Sequence, residues 1–177
     1  MTDLSKTITE LSIPPNSGNE IDSRFFILSD FLALKRIVIG DESFDNVYKF
    51  SIEGLVNLES FVIGKNCFTA SKNGRGDDPH RTFAIVNCPK LIIISIGCYS
   101  FSDYSGEFKI TNCGSLQEIK IGEVGYESCN FHDASLDLRS RCRLRVSSLD
   151  LPSLKQIEMG NKAFCNAENV KLESGQA

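Results

Sequence analysis

Apolar residues recur along the chain in one fixed short pattern. Aligned on an Ile-Gly or Met-Gly dipeptide, five stretches follow F-x-I-x-x-L-x-x-L-x-x-I-x-I-G-x-x-S-F. The glycines are Gly40, Gly64, Gly97, Gly122 and Gly160, spaced by 24, 33, 25 and 38 residues. A base period of 24–25 residues with two insertions accounts for all four spacings. The first slot holds Phe26, Phe50, Phe83, Phe108 and Val146, with Leu136-Asp137-Leu138 as a competing assignment in the fifth block. The ninth is leucine throughout: Leu34, Leu58, Leu91, Leu116 and Leu154. The twelfth holds Ile37, Phe61, Ile94, Ile119 and Ile157, and the fourteenth Ile39, Ile63, Ile96, Ile121 and Met159. The last slot holds Phe44, Phe68, Phe101, Tyr126 and Phe164, preceded by a small-residue column of Ser43, Cys67, Ser100, Gly125 and Ala163. Ile8, Leu11 and Ile13 fit a degenerate earlier block, and Val170-Lys171-Leu172 is a stub of a later one.

Within each block, F-x-I and I-x-I alternate with period 2, the signature of short strands with alternate residues inward. The glycine supplies a tight turn or a close backbone approach. Asp30, Gly54, Asn87, Asn112 and Asp150 in the fifth slot are turn formers. No stretch sustains a 3.6-residue period, so little helix is expected. One block cannot bury its apolar side alone, whereas stacked blocks make a continuous core. The expected fold is mainly β: a right-handed, leucine-rich-repeat-like solenoid of short parallel strands with about six turns of 24–25 residues. It forms a single domain over 1–177. Residues 1–25 are a degenerate first turn and cap, with the polar stretch 15–23 covering the open end. Residues 26–172 are the repeats, with loop insertions at 69–82 and 127–145.

Composition sharpens this picture at two points. There are 12 Phe against 4 Tyr and no Trp, and ten of the 12 occupy inward repeat slots, so the aromatic excess reads as core and not as a stacking platform for bases. The 7 Cys are an odd number, which speaks against a disulfide framework. Three of them, Cys67, Cys88 and Cys113, fall in repeat columns and read as buried thiols. With a net charge of −4, a nucleic-acid partner is not expected. The N-terminus lacks the basic and apolar regions of a signal peptide, and the longest apolar run, Leu91-Ile92-Ile93-Ile94, is strand-sized, so no membrane insertion is expected. A reducing, cytoplasmic compartment follows. A fragment of a longer surface protein, which would be extracellular, reads the same.

Cys88-Pro89-Lys90-Leu91-Ile92-Ile93-Ile94-Ser95-Ile96 and Cys113-Gly114-Ser115-Leu116-Gln117-Glu118-Ile119-Lys120-Ile121 follow C-x-x-L-x-x-I-x-I. With the Ser-Phe downstream, the chain resembles the bacterial-surface-antigen-A-like (BspA-like) class of leucine-rich repeats over nearly its whole length. It departs from that class in having Gly where Pro is frequent and in the additional Phe-x-Ile strand. The resemblance implies protein or glycan binding, often at cell surfaces, and no catalytic residues. The expected role is therefore a non-catalytic leucine-rich-repeat recognition module for a protein partner, or alternatively a piece of a larger adhesin-type repeat protein.

Candidate chemistry is sparse. No nucleophile elbow, phosphate loop or zinc motif occurs, no C-x-x-C pair is present, and His80 and His132 lie far apart, so neither an enzyme nor a metal or cofactor is expected. A hydrolase would need a cleft holding one of these histidines beside an acid. Arg75-Gly76-Asp77 spells the integrin-recognition tripeptide in a Gly- and Pro-marked loop that reads as flexible and exposed. Tripeptides of this kind arise often by chance.

Two surfaces are candidates for a partner. Arg139, Arg141, Arg143 and Arg145 alternate with Ser140, Cys142 and Leu144, so an extended strand would put all four guanidinium groups on one side, a docking strip for carboxylates or phosphates. Outward positions of the main strand bring Arg36, Val38, Val62 and Ile93 onto one open sheet face, a small apolar run beside a charge. The expected state is a monomer, with end-to-end association as the alternative.

Overall fold

The structure is a computed structural model and describes residues 6–20, 24–137, 155–164 and 170–171. The protein is mainly β, with no helix among the described residues. Twelve short strands form two six-stranded sheets, and every neighbouring pair is parallel. The first sheet holds β1 (Glu10–Ile13), β3 (Arg36–Ile39), β5 (Ser60–Ile63), β7 (Ile93–Ile96), β9 (Glu118–Ile121) and β11 (Gln156–Met159), in that order. The second holds β2 (Phe25–Leu28), β4 (Lys49–Glu53), β6 (Thr82–Val86), β8 (Glu107–Thr111), β10 (Ser135–Asp137) and β12 (Val170–Lys171). Consecutive strands thus alternate between the sheets, and each block of the sequence contributes one strand to each.

The register follows the sequence pattern. Ile37, Phe61, Ile94 and Ile119 are aligned across β3, β5, β7 and β9, and all are buried. Phe26, Phe50, Phe83 and Phe108 are aligned across the second sheet. Between the two strands of a block, the chain turns the corner through a repeated hydrogen bond. The Leu34, Leu58, Leu91 and Leu116 N–H groups donate to the carbonyls of Phe31, Leu55, Cys88 and Cys113, all at 3.0–3.1 Å. These four leucines are fully buried, which explains why the ninth slot never varies. At the same corner Asn87 and Asn112 take positive φ (58° and 57°), and the Asn112 side-chain amide donates to Asn87 Oδ1 at 2.6 Å.

After the first-sheet strand, close approach, more than φ, is what selects glycine. Gly97 has an ordinary φ, yet a Cβ there would stand 2.5 Å from the backbone carbonyl of Gly64. Beyond it, Phe44, Phe68, Phe101, Phe131 and Phe164 all hold φ between 48° and 64°, a region bulky side chains avoid. Their rings form a parallel column with centroids 4.9–5.3 Å apart. This column meets the second-sheet phenylalanines edge-on, as in Phe83–Phe101 at 5.1 Å and 79°. At the open N-terminal end, the loop of residues 14–20 covers the column. The Phe44 N–H donates to Ser17 C=O, and the Asn19 side chain bonds to Glu42 and Asp45 backbone groups.

Two assignments in the fourth block, the one aligned on Gly122, are corrected. The ring in the column is Phe131 and not Tyr126, which is 64% exposed, and Asn130, not Gly125, occupies the preceding small-residue position. Asn130 earns burial by donating to Gly97 C=O and Ser100 C=O, both at 2.8 Å. The physical reason is that five additional residues precede the aromatic slot: four blocks place Phe four residues after Gly, and this one places it nine after Gly122. Of the two readings of the following strand, the register selects Leu136, which aligns with Phe108 and Val170. Val146 lies outside the described residues.

Candidate functional site

The outer face of the first sheet carries the side chains that the strand parity turns away from the core. Val38 and Val62 are register partners on β3 and β5, and Ile93 on β7 pairs with Ser60 in the adjacent row. All three are half-buried, and Arg36 is exposed in the row of Ser60 and Ile93. The structure therefore brings Arg36, Val38, Val62 and Ile93 onto one face. Ion pairs bound the strip. Arg36 stands 3.4 Å from Glu10 on one side, and on the other Lys120 bonds to Glu118 at 2.9 Å and lies 4.0 Å from Glu158. The Glu118 carboxylate raises the Lys120 pKa above its ordinary value. Such exposed pairs contribute little to stability, so this face is free to serve contact. Arg139, Arg141, Arg143 and Arg145 lie outside the described residues.

The outer face of the second sheet holds a hollow of about 430 Å³. Ser51, Thr82 and Ala84 form its floor because their side chains are short, and Lys49, Glu53, Glu107 and Lys109 form its rim. None of these four charges has an ion-pair partner within 4 Å among the described residues. Sequence reasoning passed over this face. The outward parity of Lys49-x-Ser51-x-Glu53 and Thr82-x-Ala84 was the signal that could have found it.

The insertion at 69–82 is exposed but not loose. Asn73 and Asn66 exchange two hydrogen bonds, 2.8 and 3.0 Å, and the Gly76 N–H donates to Ser102 C=O. Asp78 forms a parallel bridge with Tyr104. Arg81 anchors the segment from below. It is 4% exposed, stands 3.5 Å from Asp78 and 3.6 Å from Asp103, and donates to Val47 C=O at 3.0 Å. Its guanidinium lies 4.4 Å from the Tyr48 ring centroid, and the Tyr104 hydroxyl donates to the same Val47 carbonyl at 2.7 Å. Burial pushes the Asp103 carboxyl up from its ordinary value, partly offset by Arg81. The Arg75-Gly76-Asp77 spelling has a local cause: a Cβ at Gly76 would stand 2.6 Å from that of Asp103, and Asp77 Oδ1 accepts a 2.6 Å bond from the Ser105 hydroxyl.

Cys67, Cys88, Cys98, Cys113 and Cys129 are buried thiols that form no disulfide among the described residues. Burial pushes the Cys67 thiol up to about 11. The Cys113 thiol, hydrogen-bonded to Cys88, holds the Cys88 pKa below its ordinary value. Among the described residues, no group of three or more His, Cys, Asp and Glu could hold a metal ion. His132 is 2% exposed with Nδ1 3.1 Å from Asp133 Oδ2, while His80 is exposed on the loop. No described helix is long and apolar enough to cross a membrane. Compared with protein families, curated proteins and solved structures, the chain has no match.

Proposed function

We propose that the chain is a right-handed, leucine-rich-repeat-like solenoid acting as a non-catalytic recognition module for a protein partner in a reducing, cytoplasmic compartment. The solenoid reading is supported by the strict alternation of consecutive strands between two parallel sheets and by the BspA-like sequence pattern. Buried cysteines such as Cys67, Cys98 and Cys129, which form no disulfide, fit a reducing compartment. The observation that carries the recognition role is the Val38–Val62–Ile93 strip, apolar side chains left on an open sheet face beside Arg36 with ion pairs at its margins. Apolar centres with polar rims are the usual anatomy of a protein interface. The arginine strip at Arg139, Arg141, Arg143 and Arg145 is the second patch of the same proposal.

A photoreactive residue at position 62 tests it. The protein is incubated with an extract of its source cells, the crosslinked species is identified, and its affinity is measured after purification. Val38→Asp/Val62→Asp is expected to weaken binding at least tenfold, with an unchanged circular dichroism spectrum. A partner whose affinity is indifferent both to that variant and to an Arg139/Arg141/Arg143/Arg145→Ala variant would sink the reading.

A further inference from the structure

Residues 123–127, Tyr126 among them, are additional to the spacing kept by the other four blocks. Gly122 N–H donates to Ile96 C=O at 2.8 Å, as Gly64 and Gly97 donate to Ile39 and Ile63. The repeat resumes at Ser128, whose carbonyl accepts from Tyr99 N–H at 2.6 Å, as those of Lys65 and Cys98 accept from Glu42 and Asn66. Joining Gly122 directly to Ser128 would restore the spacing of the other four blocks. Residues 123–127 are thus extruded from a repeat that closes on both sides of them.

The additional segment is ordered by one turn of its own and by contacts with Ser128 and the following block. Tyr126 N–H donates to Glu123 C=O at 3.1 Å, and Gly125 takes φ 86°, the positive value that the third residue of a type II turn requires. Ser128 Oγ accepts from Glu123 N–H at 3.1 Å, Tyr126 C=O accepts from Asn161 N–H at 2.9 Å, and Lys162 Nζ binds Glu127 at 2.7 Å. This turn holds Val124 and Tyr126 at 65% and 64% exposure. A tyrosine on a turn already ordered in the free protein loses little entropy on binding, and tyrosine is enriched among the residues that dominate interfaces. Lys162 neutralises Glu127, whereas Glu123 has no ion-pair partner among the described residues. Insertions in repeat proteins collect on one face, often the binding face.

We infer that residues 123–127 form a preformed anchor that seats Tyr126 and Val124 in an apolar pocket of a folded protein partner, with a basic side chain of that partner meeting Glu123. This deepens the recognition reading but uses a surface separate from the Val38–Val62–Ile93 strip.

The test places a photoreactive residue at position 126 in one preparation and at position 62 in another, each incubated with source-cell extract. The species crosslinked from position 126 is purified and its affinity measured against four proteins: wild type, Tyr126→Ala, Glu123→Lys, and a form lacking residues 123–127. Expected are a loss of about 30-fold for Tyr126→Ala, the size of an interface hot spot, a smaller loss for Glu123→Lys, and abolished binding for the deletion. Unfolding midpoints of the two point variants should stay unchanged. A cyclised peptide of residues 122–128 should compete, which keeps the question answerable should the deletion misfold. A partner indifferent to Tyr126→Ala and to the peptide overturns the inference. Crosslinks from position 62 alone overturn it and leave the recognition module standing, and crosslinks from neither position overturn both.

Discussion

The rings of Phe68 and Phe101 lie parallel with centroids 4.9 Å apart, although both residues hold positive φ, 55° and 57°. The same combination recurs at Phe44, Phe131 and Phe164. A left-handed backbone at a bulky residue costs roughly 1–2 kcal/mol. Such strain persists only where the surroundings over-determine it. Here the surroundings are the ring column itself, edge-on to Phe50 and Phe83. Each phenylalanine is strained by its backbone and held by its side chain.

Phe101→Ala is therefore expected to destabilise the protein by about 3–5 kcal/mol, the range for emptying a buried aromatic site. Phe101→Gly should be less destabilising than Phe101→Ala, because glycine accepts positive φ without strain. That inverts the usual order of the two residues. Urea unfolding of both variants checks it, and an alanine variant more stable than the glycine one would contradict the strain.

Glycines in this chain should separate into two kinds. At Gly97 an added Cβ meets backbone atoms of Gly64 at 2.5 Å, and backbone cannot swing aside, so Gly97→Ala should cost on the order of 1–3 kcal/mol. At Gly114 nothing stands within 4 Å and φ is not positive. The same slot holds Leu32, Val56 and Pro89 in other blocks. Gly114→Ala should raise stability by about 0.4–1 kcal/mol through the unfolded chain. Thermal denaturation of the pair should move in opposite directions.

Period-2 pieces and an invariant leucine were enough to anticipate the strands, since Phe61 and Ile63 are inward by parity and buried, and Leu58 is buried at the corner before them. Spacing alone could not say whether additional residues precede or follow an aromatic slot, so Tyr126 stood in for Phe131 until the ring column decided. The Arg81 cluster was not legible at all. It joins Tyr48, Asp78, Asp103 and Tyr104, brought together by an insertion folding back over a neighbouring block. Of the surface candidates, parity placed Val38 and Val62 correctly on one face. The second-sheet hollow was missed because its shape depends on the shortness of Ser51, Thr82 and Ala84 relative to their neighbours across strands.

Cys67 should be nearly inert in the folded protein. With its pKa pushed up to about 11, roughly one thiol in a thousand is thiolate at pH 8, and the thiolate is the reactive form. Labelling by a maleimide at pH 8 should then track unfolding, not the exposed-thiol rate. Cys67→Ser should cost under about 1 kcal/mol, because Ser43 and Ser100 fill the same column and Ser100 Oγ donates to Gly64 C=O as Cys67 Sγ does to Gly40 C=O. Mass spectrometry of the labelled peptide, with and without urea, reads the first expectation directly.

Asp103 should give the protein an unusual acid response. Burial raises its carboxyl above the ordinary 3.8, and Arg81 at 3.6 Å opposes that shift without cancelling it. Between the ordinary value and the raised one, the folded protein binds more protons at this site than the unfolded chain. The group's contribution to stability therefore rises as pH falls through the folded midpoint, and levels off below the ordinary value. Paired carboxylates with depressed values have the opposite slope, so the signal must be isolated. Urea unfolding of wild type and Asp103→Asn across pH 3 to 7, a window set from the ordinary carboxyl range at about 4, provides the difference. That difference should shift in favour of wild type on acidification. A carboxyl carbon titration of Asp103 should show a midpoint above 3.8. Arg81→Gln should raise it further by removing the opposing charge while keeping a hydrogen-bond donor near Val47 C=O. A midpoint at or below the ordinary value, or a difference that shrinks with acid, would show that the ion pair outweighs burial at this site.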